Sequence, residues 1–325
     1  MRALVCHEYG PPENLTIEEM DDPVAGDGEV LIDVAAAGIN FPDVLTIAGT
    51  YQVKAPLPFI PGAEAAGTIT AIGEGVTRFS VGDKVIVATR GRAFAEQCVS
   101  REETTMMLPE GLNFEQGAGF SVTYGTSYHA LKQSAKLQPG ETVLVLGAAG
   151  GVGITAVEIA KAMGARVIAA ASSDEKLEFA KSAGADELIN YSKVPLKETV
   201  KELTDGNGAD VVYDPVGGEL SDQAFRATAW HGRYLVIGFA CGEIPTFKAN
   251  IALLKEASII GVWWGTWVAK NRDLEKQNME ELTAMVADGT VTPRVTESYA
   301  LDDYIDAFRA ITERRARGKV ILRMS

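Results

Sequence analysis

Four glycines lie within the nine residues VLGAAGGVG, which span Val145 to Gly153 directly behind an apolar run. The stretch belongs to TVLVLGAAGGVGITAVEIAKAMGARVIAAAS, whose pattern predicts a strand, a glycine turn, a helix and a second strand. In such a unit Gly150, Gly151 and Gly153 let the backbone approach a pyrophosphate, whose charge lies on the N–H groups and the positive end of the helix. We therefore predict a dinucleotide site that includes Val152 of the same turn, rather than a turn needed only for packing.

The end of the second strand indicates which dinucleotide binds. An acid at this position would hold the ribose 2′-hydroxyl of NAD, but the sequence has Ala171, followed by Ser172 and, one turn into the next helix, Lys176. Hydroxyl and ammonium groups would hold a 2′-phosphate, which a carboxylate would repel. This favours NADPH over NADH, although Lys176 could equally be an ordinary surface lysine. Asp174 lies nearby and could cap the helix DEKLEFAK.

A sheet must position these residues, and from Glu141 onward the chain alternates short apolar runs with helical patterns. The runs are TVLVLG, RVIAAAS, DELINY, DVVYDP, RYLVIGF and SIIGVWW. Nearly continuous hydrophobic strands joined by helices predict a parallel sheet covered on both faces, and six strands complete a doubly wound nucleotide-binding domain. Ligands gather at the carboxyl ends of such strands, so Gly238 and Phe239, which close the fifth run, are expected to contact the cofactor.

The first third of the chain differs in composition, because it is rich in Gly, Pro and β-branched residues in short runs such as EVLIDVAAAGIN and GDKVIVA. Turn signals at that spacing predict a compact, mostly β domain. We assign residues 1–122 to this domain and residues 123–264 to the nucleotide-binding domain. Residues 265–325, with a charged helix and the closing strand GKVILRM, are expected to return to the first domain.

The charge and the cysteine usage exclude several classes of protein. The chain has 325 residues and a formal net charge of −14, which would be repelled by nucleic acid or by an anionic membrane. Its three cysteines and three histidines are scattered, so neither a zinc site nor a disulfide framework is indicated. The N-terminus is not typical of a signal peptide, and the longest apolar stretch, residues 259–269, is too short for a membrane span. We expect a cytoplasmic protein.

The order of these parts, a Gly/Pro-rich β domain followed by a late Rossmann unit and a short return, resembles the medium-chain dehydrogenase/reductase superfamily. The resemblance extends over nearly the whole chain. The segments GINFPDVLTIAGTY, LPFIPGAEAAGTITAIGEGV, FSVGDKV and GAAGGVG look like those of its zinc-free quinone oxidoreductases, the group that contains zeta-crystallin. This implies an α/β protein with a GroES-like, β-rich catalytic domain and a doubly wound Rossmann domain.

The resemblance also bears on metal binding. Zinc-dependent alcohol dehydrogenases of the superfamily have a Cys and a His ligand at the places where this sequence has Asn40 and Ala63. Glu64 remains, but one carboxylate cannot assemble a site that normally takes three or four protein ligands. We therefore expect no catalytic metal. Without a Lewis acid to stabilise an alkoxide, reduction of a quinone or enone is favoured over oxidation of an alcohol.

Five residues have roles implied by the resemblance. Asn40 is expected beside the nicotinamide ribose and Thr126 at the carboxamide, although they could instead be a cap of FPDV and a plain helix residue. Tyr51 matches a tyrosine at the mouth of the active site and could donate a hydrogen bond or proton to the acceptor, or simply pack in its loop. Tyr191 is expected near the adenosine 2′-phosphate, and Lys319 at the cofactor.

The resemblance implies an NADPH-dependent quinone oxidoreductase, with two alternatives. An enoyl-thioester or alkenal reductase has the same fold and cofactor but needs basic contacts for a CoA or carrier-protein phosphate, and only ERRARGK offers these. A catalytically silent NADPH-binding protein is the other alternative, although no predicted site residue is missing. The physiological acceptor and one- versus two-electron transfer stay open.

The segment GVWWGTW places three tryptophans near the end of the sixth strand, at Trp263, Trp264 and Trp267. They could form an aromatic wall for a flat substrate, or pack in the core or against another subunit. The related proteins generally pair edge to edge through this sheet, so a homodimer is expected, with a tetramer left open.

Overall fold

The computed structural model describes residues 1–89 and 91–324. The chain divides into two compact units. The first unit is Met1–Val122 together with Pro293–Ser325, and the second is Thr123–Thr292. None of the described helices combines the length and the apolar character needed to cross a membrane.

In chain order, the strands of the described residues are β1 Arg2–Cys6, β2 Leu15–Glu19, β3 Glu29–Ile39, β4 Glu64–Ile72, β5 Lys84–Ala88, β6 Gln97–Arg101, β7 Thr105–Met107, β8 Thr142–Leu146, β9 Arg166–Ala171, β10 Glu187–Asn190, β11 Ala209–Asp214, β12 Thr228–Val236, β13 Ser258–Gly261, β14 Val295–Ala300 and β15 Lys319–Arg323. The α-helices are α1 Phe41–Ile47, α2 Phe114–Ala118, α3 Ser121–His129, α4 Gly151–Ala162, α5 Asp174–Ser182, α6 Leu196–Leu203, α7 Glu219–Arg226, α8 Ala249–Lys255, α9 Trp264–Lys270, α10 Arg272–Ala287 and α11 Tyr304–Thr312.

The first unit is built on a sheet in the order β14-β15-β3-β4-β5-β7, with β6 paired to β3. In β3 the alternating Val30, Ile32 and Val34 face the core, which explains why this run forms the long central strand. The closing strand β15 pairs antiparallel with β3 and parallel with β14, both of which belong to the first unit. Helix α11 covers the sheet, where Phe308 meets Phe94 edge to face.

The second unit contains a six-stranded, all-parallel sheet in the order β10-β9-β8-β11-β12-β13. Its six strands coincide with the six apolar runs, and the order is that of a doubly wound nucleotide-binding fold, as expected. The middle strands are almost completely buried because helices cover both faces, which is why they are hydrophobic throughout instead of alternating.

The charged helix α10 lies in the second unit, which differs from the sequence-based assignment of residues 265–325 to the return. Its inner side makes polar contacts with the segment after α3. Gln133 Nε2 donates to Asn278 Oδ1 at 2.7 Å, and Glu281 pairs with Lys132. These partners are about 150 positions away along the chain, so the local pattern of α10 carries no sign of them. The return therefore begins at Pro293.

Candidate functional site

The glycine turn follows β8 in the second unit, and its glycines have different structural causes. Gly147 has φ +56°, a left-handed conformation that glycine adopts without strain. A Cβ on Gly153 would lie 2.2 Å from the Gly147 carbonyl oxygen, so Gly153 is required for close packing of the helix on the turn. Both residues therefore shape the turn itself.

Gly150 is different, because the protein alone does not require a glycine there. It is the N-cap of α4 with an extended φ of −75°, and a Cβ would meet only the Gly147 carbonyl oxygen at 3.4 Å. A side chain would thus fit, but it would fill the space in front of the first N–H groups of α4, which lack a side-chain cap. This open helix N-terminus, with Gly151 and Val152 in its first turn, fits a pyrophosphate.

The ends of the neighbouring strands β11 and β12 meet beside this turn. The Asp214 carboxylate, at the end of β11, is buried and accepts from the backbone N–H groups of Val216 at 2.7 Å and Gly217 at 3.0 Å. It also accepts from the hydroxyl of Ser221 at 2.6 Å and from that of Tyr234. Four donors satisfy this charge without a cation, and they hold the loop that follows β11 in place.

The predicted cofactor residues Gly238 and Phe239 adjoin that loop. The N–H of Gly238 donates to the Asp214 carbonyl at 3.3 Å, and a Cβ on Gly217 would lie 3.3 Å from the Phe239 Cα. A Cβ on Gly147 would lie 2.9 Å from Val216. The second unit therefore brings the ends of β8, β11 and β12 together at one edge of the sheet.

At the other side of that edge, β9 and β10 end next to each other. The N–H of Tyr191 donates to the Ala171 carbonyl at 3.2 Å, and the Ser192 hydroxyl donates to the Ser172 carbonyl at 3.0 Å. Ser172 is exposed and Lys176 is half-buried. Of the three residues predicted at a 2′-phosphate, Ser172 and Tyr191 thus follow adjacent strand ends, and Lys176 lies in the first turn of α5.

The predicted cap of α5 needs a correction. Ser173, rather than Asp174, is the N-cap, and its hydroxyl accepts from the Lys176 N–H at 3.3 Å. The N-cap is the residue that precedes the first helical residue, and in α5 that residue is Ser173. The Asp174 carboxylate instead accepts from Asn190 Nδ2 at 2.6 Å and pairs with Lys193 Nζ. These two donors, the Lys193 ammonium foremost, hold the pKa of Asp174 below its ordinary value.

The first unit contains a buried polar cluster made by three distant parts of the chain. The Lys319 ammonium donates to Asn40 Oδ1 at 2.8 Å, to Glu64 Oε1 at 2.8 Å and to the Ile39 carbonyl at 3.1 Å. Asn40 Nδ2 donates to Glu64 Oε1 at 2.9 Å, and the N–H of Val122 donates to Glu64 Oε2 at 2.8 Å. The side chains of Lys319 and Glu64 are 4% and 1% exposed, so each charge depends on its partners.

Asn40 is also the N-cap of α1, the alternative that the sequence left open. Its backbone N–H donates to Asp43 Oδ2 at 2.8 Å, and the N–H of Asp43 donates back to the Asn40 carbonyl at 2.9 Å. Burial raises the pKa of the Asp43 carboxyl to about 7, although the hydrogen bond from Asn40 and the charge of Lys319 act against this rise. This capping does not exclude a cofactor role for Asn40. The backbone of Asn40 makes the bonds to Asp43, whereas its side-chain amide is held by Lys319 and Glu64.

Tyr51 lies in the first unit, after α1, and is half-buried. The aromatic ring that packs in this loop is that of Tyr9, whose hydroxyl donates to the Ala55 carbonyl at 2.6 Å and whose ring lies 6.5 Å from that of Phe59. Thr126 lies in the second unit on α3, also half-buried. The roles of Tyr51 and Thr126 remain predictions.

Two of the three tryptophans pack inside the second unit. A Cβ on Gly125 would lie 2.7 Å from the Trp264 ring, and Trp264 Nε1 donates to Glu275 Oε2 at 3.3 Å. Trp267 stacks on His129 with ring centroids 4.1 Å apart. Trp263 is 50% exposed.

Sequence reasoning missed four of the charged residues in these clusters. Asp43 closely follows a strand and Asp214 ends one, so a carboxylate at the end of an apolar run was the signal available for them. Lys193 and Glu275 gave no such signal, because their partners are set by tertiary structure.

A six-stranded parallel sheet in this order, with a glycine turn and an open helix N-terminus after its first strand, is the arrangement of the doubly wound dinucleotide-binding fold. Comparison with known families agrees with this class. Residues 26–151 match the alcohol dehydrogenase GroES-like domain, and residues 151–286 match the family described as zinc-binding dehydrogenase.

Comparison with individual proteins narrows the class. The chain is 39% identical to a quinone oxidoreductase-like protein 2 homolog of Nematostella vectensis, over 99% of this chain and 88% of that protein. It superposes on Escherichia coli quinone oxidoreductase in complex with NADPH with a TM-score of 0.92 and 28% identity, covering 100% of both chains. It superposes on the CurK enoyl reductase with a TM-score of 0.90 and 30% identity, covering 100% of this chain and 99% of that one. The chain belongs to the quinone oxidoreductases of the medium-chain dehydrogenase/reductase superfamily.

The described residues do not fit the zinc that one family description mentions. Across residues 1–89 and 91–324, no group of three or more His, Cys, Asp or Glu side chains is arranged to hold a metal ion. Asn40 stands at one of the two expected ligand positions and Glu64 follows the other, Ala63; the side chains of Asn40 and Glu64 both already bind the ammonium of Lys319. A divalent cation beside this buried ammonium would be strongly repelled.

Proposed function

We propose that this protein transfers reducing equivalents from NADPH to a quinone or a similar conjugated carbonyl, without a metal. The observation that carries the proposal is the end of β9, where Ala171 and Ser172 stand in place of an acid beside Lys176 and Tyr191. Membership of the quinone oxidoreductases supports the acceptor class, and the NADPH complex of the Escherichia coli relative supports the cofactor.

NADPH, when bound, supplies a hydride to the acceptor. The work of the protein is to bind and orient it: the N–H groups at the start of α4 hold the pyrophosphate, and Ser172 and Lys176 hold the 2′-phosphate. The Lys319 ammonium and Glu64 hold the Asn40 amide in one orientation through one hydrogen bond each, and they also bond to each other, which prepares the amide to receive a ribose. Tyr51 donates a hydrogen bond to the acceptor oxygen, where negative charge develops.

The assay is steady-state oxidation of NADPH and of NADH with a quinone, an enal and an enoyl-CoA, each with and without a chelator. We expect NADPH-specific, chelator-insensitive turnover of the quinone. Tyr51→Phe tests the donor, with Tyr9→Phe as the matched control because Tyr9 lies against the same loop but acts in packing. A fall in kcat in the first variant alone supports the role of Tyr51, and equal falls contradict it.

An enoyl-thioester reductase is the second candidate, because the CurK enoyl reductase has the same fold at 30% identity. Turnover of enoyl-CoA in preference to the quinone would replace the proposal with this one. Binding of NADPH without turnover of any acceptor would support the third alternative, a catalytically silent nucleotide-binding protein.

We also propose that the protein is a cytoplasmic homodimer. The support for a dimer is β13, which is the last strand of its sheet in the described residues and carries Ile259 with 42% exposure. The neighbouring helix α8 exposes Leu253 and Leu254 by 77% and 67%. An apolar edge strand of this kind pairs readily with a second copy of itself.

A further inference from the structure

The ends of β9 and β10 contain an ion pair that the proposed function does not use. Asp174 is the first residue of α5, and Lys193 follows β10 by three residues. Lys193 Nζ lies 2.5 Å from Asp174 Oδ2, and Asn190 Nδ2 donates to Asp174 Oδ1 at 2.6 Å. Both charged side chains are about two-thirds exposed, so the pair contributes little to folding stability.

The position of this pair is significant because of its neighbours. The Ser192 hydroxyl donates to the Ser172 carbonyl at 3.0 Å, so the turn that carries Lys193 is bonded to the strand end where the 2′-phosphate is proposed. Asp174 is two residues from Ser172 in the chain, so the Cα atoms of the two residues lie within about 7 Å of each other. An ionised carboxylate at such a distance repels a phosphate that carries up to two negative charges.

We propose that Lys193 strengthens the preference for NADPH over NADH by neutralising Asp174. Lys193 acts through Asp174 rather than as a ligand of the phosphate, so it is a positioning residue. With the pair intact, Lys176 and the helix N-terminus of α5 set a positive local potential at Ser172. Without Lys193, the Asp174 carboxylate opposes the 2′-phosphate and leaves the 2′-hydroxyl of NADH unaffected. This inference rests on the proposed use of NADPH.

The magnitude follows from Coulomb's law at a separation that this chain spacing allows. A single charge about 7 Å from a doubly charged phosphate, in a solvent-exposed place, changes affinity by about five- to tenfold. The effect is electrostatic, so it falls as ionic strength rises and the Debye length shortens.

The test is a set of dissociation constants for NADPH and NADH, measured by fluorescence titration without acceptor. We expect Lys193→Gln to weaken NADPH binding about five- to tenfold, with NADH binding changed less than about twofold. Asp174→Asn added to Lys193→Gln should restore NADPH binding, and the conservative Lys193→Arg alone should retain it. Lys197→Gln is the matched control, because Lys197 pairs with Glu198 at 3.1 Å on the surface of α6.

The outcomes separate this inference from the proposed function. An equal loss of NADPH and NADH binding in Lys193→Gln, a loss that high salt does not reduce, or a failure of Asp174→Asn to restore binding would overturn the inference alone. A wild-type protein that binds neither nucleotide, or that prefers NADH, would overturn the proposed use of NADPH and the inference with it.

Discussion

Replacement of Lys319 by Met is expected to destabilise the first unit strongly. The substitution keeps the apolar stem but removes an ammonium with three acceptors, and it leaves the Glu64 carboxyl buried without its counter-charge. Removing one partner of a buried ion pair costs about 3–5 kcal/mol. Glu64 keeps its hydrogen bonds from Asn40 and Val122, so we expect the lower end, about 3 kcal/mol.

The assay is urea unfolding followed by two signals. Far-UV circular dichroism reports on both units, whereas tryptophan fluorescence reports on the second, because all four tryptophans lie there. Fluorescence therefore gives an internal reference for the same sample.

Two control variants test whether the loss comes from the buried charge. Lys84→Met, at an exposed lysine of β5, should cost less than about 1 kcal/mol. Lys319→Met with Glu64→Gln should recover a large part of the loss, because no unpaired charge remains.

A loss below about 1 kcal/mol in Lys319→Met would refute the buried ion pair as a stabilising feature of the first unit. Failure of the double variant to recover stability would show that packing of the lysine stem, rather than charge, is responsible. The same variant tests the role of Lys319 in holding Asn40. NADPH binding should weaken in Lys319→Met even under conditions where the first unit stays folded.

Three further predictions concern other residues. Gly150→Ala should weaken NADPH binding about tenfold or more, measured by titration, while lowering the free energy of unfolding by less than about 1 kcal/mol. Gly153→Ala should lower the free energy of unfolding by about 2 kcal/mol, measured by thermal unfolding. Equal effects of the two substitutions would contradict the different roles of the two glycines. Burial raises the pKa of Glu275 from 4.5 to about 7, so the folded protein holds a proton that the unfolded chain releases, and stability should fall as pH rises between these values. Glu275→Gln should abolish this decrease in the free energy of unfolding, which is on the order of 3 kcal/mol over that pH interval. Unfolding followed by tryptophan fluorescence measures it, and a decrease that persists in the variant would exclude Glu275 as its source. Ile259→Lys should halve the mass of the particle in light scattering, and an unchanged mass would place any subunit contact away from β13.

Much of the fold could be predicted because its causes are local. The six strands of the second unit are separate apolar runs, and the glycine turn follows from the backbone conformation that Gly147 adopts and the space that Gly153 leaves. The closing strand was expected in the first domain because the six apolar runs left it no place in the parallel sheet. Local pattern, length and turn chemistry were sufficient for these elements.

The site was predictable only in part, because its charges are paired over long distances. Lys319 is separated by 279 residues from Asn40 and by 255 from Glu64, and nothing in the intervening sequence marks the contacts. The same holds for Lys193, whose partner Asp174 is the first residue of α5, 19 positions earlier in the chain. The charged helix α10 was assigned to the wrong unit for a related reason, since helical periodicity shows which side is apolar but not what it packs on.

The position of β15 has a consequence for the order in which the protein is made. β15 lies between β14 and β3, and it is translated after the whole of the second unit. While the ribosome is still synthesising residues 123–292, β3 has an open edge at residues 36–39, and Glu64 has no ammonium partner. The second unit is continuous in the chain and can close its sheet first, whereas the first unit must wait for its last strand. The nascent chain therefore exposes an apolar strand edge throughout this interval, and protection of that edge by a chaperone would be most valuable then.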